Sequence, residues 1–282
     1  MEQSPFTMVD VFGDGAFAGN PLAVIADADH LETAEMQRIA NWLNLSETTF
    51  LLRPTDPLAD YRARIFTVDR ELPFAGHPTL GSCHAWLARD GRPQREGQVV
   101  QECGVGLVTI RRDGGDRLAF AAPPLIRSGP LDEAELAEVL EVLQIERDAV
   151  IDAAWACNGP GWVAVLLESA DAVLAVEPRR SFPHVIDIGV VGPHASGGAA
   201  DFEIRAFFTA GPGTIVEDPV TGSLNASTAQ WLYATSRVEG PYVAAQGTML
   251  GRRGRVYLDR DEAGQVWVGG AARSMFGGTT LF

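Results

Sequence analysis

The stretch Glu71-Leu-Pro-Phe-Ala-Gly-His-Pro-Thr-Leu-Gly-Ser82 decides how this chain is organised. A strand-like run, Arg64-Ile-Phe-Thr67, leads into it, and a helix-like run, Cys83-His-Ala-Trp-Leu-Ala-Arg89, leads out. The His-Pro step and two glycines between them punctuate a tight turn into a helix. The pattern occurs twice. Arg205-Ala-Phe-Phe-Thr209 leads through Val216-Glu-Asp-Pro-Val-Thr-Gly-Ser223 into Leu224-Asn-Ala-Ser-Thr-Ala-Gln-Trp-Leu232. Pro78, Gly81 and Ser82 match Pro219, Gly222 and Ser223 at one offset of 141, half of the 282 residues. The reading is an internal duplication with one special turn per half.

Outward from the turns, alternation and punctuation place the other elements. Met8–Phe12 and Gly19–Ile25 read as an antiparallel strand pair, and Thr33 as the cap of a helix carrying Met36, Ile39, Ala40 and Leu43. Leu45–Leu52 and Arg62–Thr67 read as strands, and Val99–Ala122 as two or three more, with a turn at Asp113-Gly-Gly115. Ala122-Pro-Pro-Leu is the linker candidate. Leu131–Leu143 is an acidic amphipathic helix with the stripe Leu136, Val139, Leu140 and Leu143, its carboxylates a solvated face. Asn158–Val165 echoes Gly19–Val24, and the strand pairs near 255–268 echo those near 108–121. Each half is mostly strand with one apolar helix after its special turn. The expectation is an α+β fold of two pseudo-symmetric lobes, each a curved, mostly antiparallel sheet around a central helix. The lobes span 1–124 and 125–282, with the last residues free to pack back on the first lobe. A cleft between such lobes would bring both turns face to face.

Composition limits the chemistry. The formal net charge is −15, and all 22 basic residues are arginine. A chain without lysine forms no pyridoxal or aldolase Schiff base and has no Walker lysine. Its acidity argues against nucleic acid, which requires basic patches. No apolar run nears the roughly 20 residues that span a bilayer. Met1-Glu-Gln-Ser-Pro-Phe6 lacks a basic segment followed by an apolar one, so the expected location is the cytoplasm. Cys83, Cys103 and Cys157 make neither a disulfide framework nor a CxxC pair, and the five histidines lack metal-ligand spacing.

A helix N-terminus presents unpaired N–H groups and a partial positive charge, so it holds a carboxylate without basic side chains. Gly81-Ser82 and Gly222-Ser223 suit that use, although a single such turn is more often a plain cap with proline at the first helical position. Two helix starts aimed at one cleft favour a site for a small anion. His77 titrates near neutrality and is a candidate to donate or accept a proton, or a structural histidine. Asp218 becomes a base only if its surroundings alter its proton affinity. Thr221 and Ser223 bring hydroxyls for a substrate carboxylate or for capping. Glu47 has no matching carboxylate in the second half, and an unpaired acid beside two binding turns is a candidate proton carrier.

These residues resemble the PhzF family, the phenazine-biosynthesis-type isomerases with the diaminopimelate epimerase fold. The resemblance rests on Val9-Asp-Val-Phe, Gly19-Asn-Pro-Leu-Ala-Val, Leu45-Ser-Glu-Thr-Thr-Phe, Arg64-Ile-Phe-Thr, Glu71–Gly81 and Glu217-Asp-Pro-Val-Thr-Gly-Ser, in family order over nearly the whole chain. It implies an active site between the lobes, no metal or organic cofactor, and commonly a homodimer. It further implies Glu47 as the acid/base that moves a proton between carbons of a small carboxylate-bearing substrate. His77 and Asp218 would position substrate groups and assist transfer; Gly76, Gly222 and Ser223 would hold the carboxylate. Related racemases use one cysteine per lobe in these turns, where this chain has Ala75-Gly76 and Asp218-Pro219. The resemblance therefore implies double-bond isomerisation by one carboxylic acid, in antibiotic or other secondary metabolism. An amino-acid racemase or epimerase and a non-catalytic carboxylate-binding protein are the alternatives.

Overall fold

The computed structural model describes residues 3–112 and 117–281, so the turn expected at Asp113-Gly-Gly115 lies outside the described residues. The chain forms two compact units, Met1–Ala121 with Gly269–Phe282, and Ala122–Val268.

In the first unit β1 (Pro5–Val11) pairs antiparallel with β2 (Asn20–Ile25), and α1 (Thr33–Leu43) follows. The cap of α1 is Glu32, not Thr33: Glu32 and Glu35 close a reciprocal capping box, while the Thr33 hydroxyl accepts from Arg64 Nη2 at 3.0 Å. Next come β3 (Thr48–Leu52), β4 (Tyr61–Phe66), the short β5 (Glu71–Leu72) and α2 (Gly76–Leu87). The unit is completed by β6 (Gln98–Cys103), β7 (Gly106–Arg112) and β8 (Arg117–Ala121). β2–β3 and β4–β6 are parallel, whereas β3–β4, β4–β5, β6–β7 and β7–β8 are antiparallel.

The second unit runs through β9 (Arg127–Pro130), α3 (Glu133–Leu143), β10 (Val150–Cys157), β11 (Trp162–Leu167), α4 (Ala170–Leu174), β12 (Asp187–Pro193) and β13 (Phe202–Ala210). It continues with β14 (Thr214–Asp218), α5 (Gly222–Ala234), β15 (Tyr242–Gln246) and β16 (Gly254–Arg260); β17 (Val266–Thr279) begins here and ends in the first unit. From β10 onward the pairing repeats that of β1 onward. β10–β11 is antiparallel, β11–β12 parallel, β12–β13 and β13–β14 antiparallel, β13–β15 parallel and β15–β16 antiparallel. Each unit also takes one strand from beyond its repeat, since 272–279 of β17 pairs with β1 and β9 pairs with β10.

The two long helices after the special turns are buried along most of their length: Gly76 through Cys83 in α2, and all but Ser223 and Gln230 between Gly222 and Tyr233 in α5. A helix that is apolar on every side has no solvent face. α2 packs against β1, β2, β3, β4, β6 and β8, and α5 against β10, β11 and β16. Small residues allow this approach; a Cβ on Gly81 would sit 2.5 Å from Leu22 Cδ2, and one on Gly189 2.2 Å from Leu224 Cδ1. By contrast α3 has a wet face, and its buried stripe is Leu136, Val139, Val142 and Leu143, with Leu140 only partly covered. No described helix is long and apolar enough to cross a membrane.

Candidate active site

In the first unit the site grows from the start of α2. Ala75 is its N-cap, in extended conformation and with no side-chain cap bond, so Gly76 and His77 are the first helical residues. Asp10 of β1 holds the approach from the other side, its carboxylate accepting the N–H groups of Ala18 and Gly19 at 2.9 and 2.8 Å. Asn20, first residue of β2, is thereby presented to the helix, with Nδ2 3.4 Å from His77 Nδ1. An amide nitrogen only donates, so Nδ1 is the accepting nitrogen and the ring proton sits on Nε2. Nε2 lies 3.4 Å from Glu47 Oε2. Glu47 precedes β3, its side chain 17% exposed while that of His77 is 4% exposed.

Burial pushes His77 down to about 3, so the imidazole is neutral in the folded protein. The expectation of a histidine titrating near neutrality is corrected: desolvation outweighs the neighbouring carboxylate. Behind the helix start, Gln101 of β6 donates to Thr79 Oγ1 at 3.1 Å and accepts the Tyr61 hydroxyl at 3.0 Å, and Thr79 in turn donates to Ala75 O. Burial raises Tyr61 well above the ordinary tyrosine range, which keeps it a donor.

The second unit builds its counterpart at the start of α5. Asp218 ends β14, and Thr221 is the N-cap. The Thr221 hydroxyl donates to Asp218 Oδ2 at 2.5 Å and accepts from Gln246 Nε2 at 2.9 Å. Gln246 closes β15 and is fully buried; its Oε1 accepts from Thr221 N and from the buried Asn225 amide at 3.0 and 2.8 Å. Gln246, like Gln101, lies on the strand after the central helix and bonds the fourth residue of that helix, but stands two ladder positions further along. Ser223, the second residue of α5, accepts from Trp162 Nε1 at 3.0 Å through its hydroxyl and from Asn158 Nδ2 at 2.9 Å through its carbonyl.

The expected site residues thus fall into two groups, Glu47, Gly76 and His77 in the first unit and Asp218, Thr221, Gly222 and Ser223 in the second. Two sequence expectations are corrected. α2 begins at Gly76 and runs through Pro78, so Gly76 corresponds to Gly222, and Gly81-Ser82 lies in the second turn of the helix, buried against β1 and β2. Proline is tolerated there because a first-turn N–H has no intrahelical acceptor to lose. The second half also does contain a carboxylate matching Glu47. Arg64 faces Phe50 in the β3–β4 ladder as Arg205 faces Val190 in β12–β13, and three residues before these partners stand Glu47 and Asp187. Asp187 Oδ2 accepts from Gly161 N at 3.1 Å.

Asn20, Gln101, Trp162, Asp187, Asn225 and Gln246 escaped the sequence reading. Their signal there is faint: polar residues breaking apolar strands, as in Val-Val-Gln101 and Val-Ala-Ala-Gln246. The cysteines take no part, since burial raises the Cys83 thiol far above its ordinary value and Cys103 also titrates high. Among the described residues no group of three or more metal-ligating side chains converges.

The family model described as phenazine biosynthesis-like protein, PhzC-PhzF, matches residues 9–278. The chain belongs to this family. Within it, trans-2,3-dihydro-3-hydroxyanthranilate isomerase of Pseudomonas fluorescens is 34% identical over 250 residues, covering 88% of this chain and 87% of that one. Antisense-enhancing sequence 1 of Schizosaccharomyces pombe is 35% identical over the full length of both chains. A PhzF family protein of Bacillus anthracis, solved by crystallography, superposes with a TM-score of 0.82 at 23% identity over both whole chains, which shows the common fold. By this membership the chain is an enzyme, a PhzF-like isomerase.

Proposed function

We propose that this PhzF-family isomerase shifts a proton within a small unsaturated amino- or hydroxy-substituted carboxylic acid, moving its double bond without a cofactor. The observation that carries the reading is the approach of Glu47 Oε2 to within 3.4 Å of Nε2 of a buried, neutral His77. A carboxylate that has surrendered its solvent but keeps a neutral donor can remove a proton from carbon and return it elsewhere. Neutral imidazole supplies that donor without the charge that would hold the carboxylate permanently ionised. Catalytic contacts are often long or poorly aligned before substrate binds, which suits the 3.4 Å separation. His77 and Asp218 position substrate groups, and the Gly76 and Gly222 N–H groups, with Thr221 and Ser223, hold the carboxylate. The enzyme works as a cytoplasmic homodimer in secondary metabolism.

The compound to try first is trans-2,3-dihydro-3-hydroxyanthranilate, which names the Pseudomonas relative. In deuterated water the wild type is expected to deliver deuterium to a ring carbon, and Glu47→Gln to turn over about 10²- to 10⁴-fold more slowly. Unchanged turnover by Glu47→Gln would remove Glu47 from the mechanism.

A second reading has an observation of its own. The relative matching over the full length of both chains, Antisense-enhancing sequence 1, has a name that states no reaction. A carboxylate-binding protein without turnover would bind candidate acids and release them without deuterium.

A further inference from the structure

We infer that Trp162, held in place by Asp187, is a positioning residue that turns the Ser223 hydroxyl proton toward a substrate carboxylate. The inference rests on the reading of Ser223 as a carboxylate donor proposed above, and adds to it residues outside the expected site.

A serine hydroxyl has one proton and two acceptor positions, whereas an indole N–H only donates. When Trp162 Nε1 donates to Ser223 Oγ at 3.0 Å, it fills an acceptor position and leaves the hydroxyl proton unused. Among the described residues no acceptor takes that proton. A hydroxyl that accepts a hydrogen bond is also polarised into a better donor. Trp162 is 3% exposed, so its N–H cannot turn to water instead.

The segment carrying the indole is fixed at three points. Asn158 Nδ2 holds Ser223 O at 2.9 Å, Gly161 N donates to Asp187 Oδ2 at 3.1 Å, and Trp162 stands opposite Asp187 in the parallel β11–β12 ladder. Asp187 occupies the ladder position that Glu47 holds in the first unit, but here the carboxylate anchors backbone.

The first unit carries the same device with other residues. There Asn20, first residue of β2, aims a donor-only N–H at His77, second residue of α2, and so directs the histidine proton outward through Nε2. In the second unit Trp162, first residue of β11, does this to Ser223, second residue of α5. The helix position is the same in both halves, but the donor comes from a different point of its strand: Trp162 stands opposite Asp187, whereas the ladder in which Ala23 faces Thr48 puts Leu22, not Asn20, level with Glu47.

The test measures binding of 3-hydroxyanthranilate, and of 2-aminophenol, which lacks only the carboxylate, by titration calorimetry. Trp162→Phe is expected to weaken 3-hydroxyanthranilate about ten- to a hundredfold, the effect of one hydrogen bond to a charged group, and to leave 2-aminophenol within about twofold. Asp187→Asn, a nearly isosteric change, is expected to weaken the acid about two- to threefold and serves if Trp162→Phe does not fold. Both effects should vanish in a Ser223→Ala background, because the indole acts only through that hydroxyl. If Ser223→Ala weakens the acid but Trp162→Phe and Asp187→Asn do not, the inference is overturned and the carboxylate reading stands. If Ser223→Ala leaves the acid unaffected, or the wild type does not bind it, both fail. Equal weakening of acid and phenol would assign Trp162 to packing alone and overturn the inference.

Discussion

At His77 the two ring nitrogens have separate tasks, one turned to the Asn20 amide and one to Glu47. Burial holds this imidazole neutral with its titration near 3, against about 6.5 in an unfolded chain. Between those values the unfolded state binds the proton and the folded state does not. The contribution of neutral His77 is therefore complete above about pH 6.5 and is lost as the pH falls toward 3. His77→Gln should be less stable than wild type at pH 7.5, and the gap should narrow by about 2 kcal/mol by pH 5. Urea unfolding at several pH values measures it; a gap independent of pH would mean that His77 titrates normally. This behaviour was not legible in the sequence, where a histidine before proline looks like any surface histidine. The residues that bury it lie on strands far away along the chain.

Between elements, the same motif has different weight in the two units. Arg64 of β4 forms a two-point pair with Glu71 of β5 at 2.7 and 2.6 Å, and Arg205 of β13 forms one with Glu217 of β14 at 3.0 and 2.8 Å. The side chains of the first pair are 17% and 38% exposed, those of the second 5% and 11%. Arg205 Nη1 additionally donates to the carbonyls of Val173 and Val176 at the end of α4. Glu217→Gln should therefore destabilise by about 3–5 kcal/mol, leaving a buried guanidinium uncompensated. Glu71→Gln should cost at most about 1 kcal/mol. Denaturant unfolding of the two variants makes the comparison, and similar losses would refute the burial argument. Gly81→Ala tests the contact of α2 with β2, since its methyl group would meet Leu22 in a packed core; a loss of about 1–3 kcal/mol is expected by thermal unfolding. The Arg-x-Phe and Arg-x-Phe-Phe strands were readable from alternation. The boundary of α2 was not, because Pro78 reads as the first helical residue after a cap, whereas the helix starts two residues earlier at Gly76.

For the whole molecule, a formal charge of −15 opposes the approach of any anionic substrate. Binding then depends on short-range N–H and hydroxyl donors, and added salt screens the repulsion. KM for a carboxylate substrate should fall about two- to threefold when ionic strength rises from about 0.02 to 0.2 M, with kcat unchanged. A KM that rises with salt would indicate a basic site. Alternation, turn residues and the repeated motif determined the duplicated α+β plan and its site candidates, because they act over a few residues and leave a periodic trace. Only the tertiary structure decided that α2 starts at Gly76, that Asp187 is the counterpart of Glu47, and that Asn20 and Trp162 direct the protons of His77 and Ser223. Those outcomes depend on strand register and desolvation, which arise from residues distant in sequence and brought together by packing.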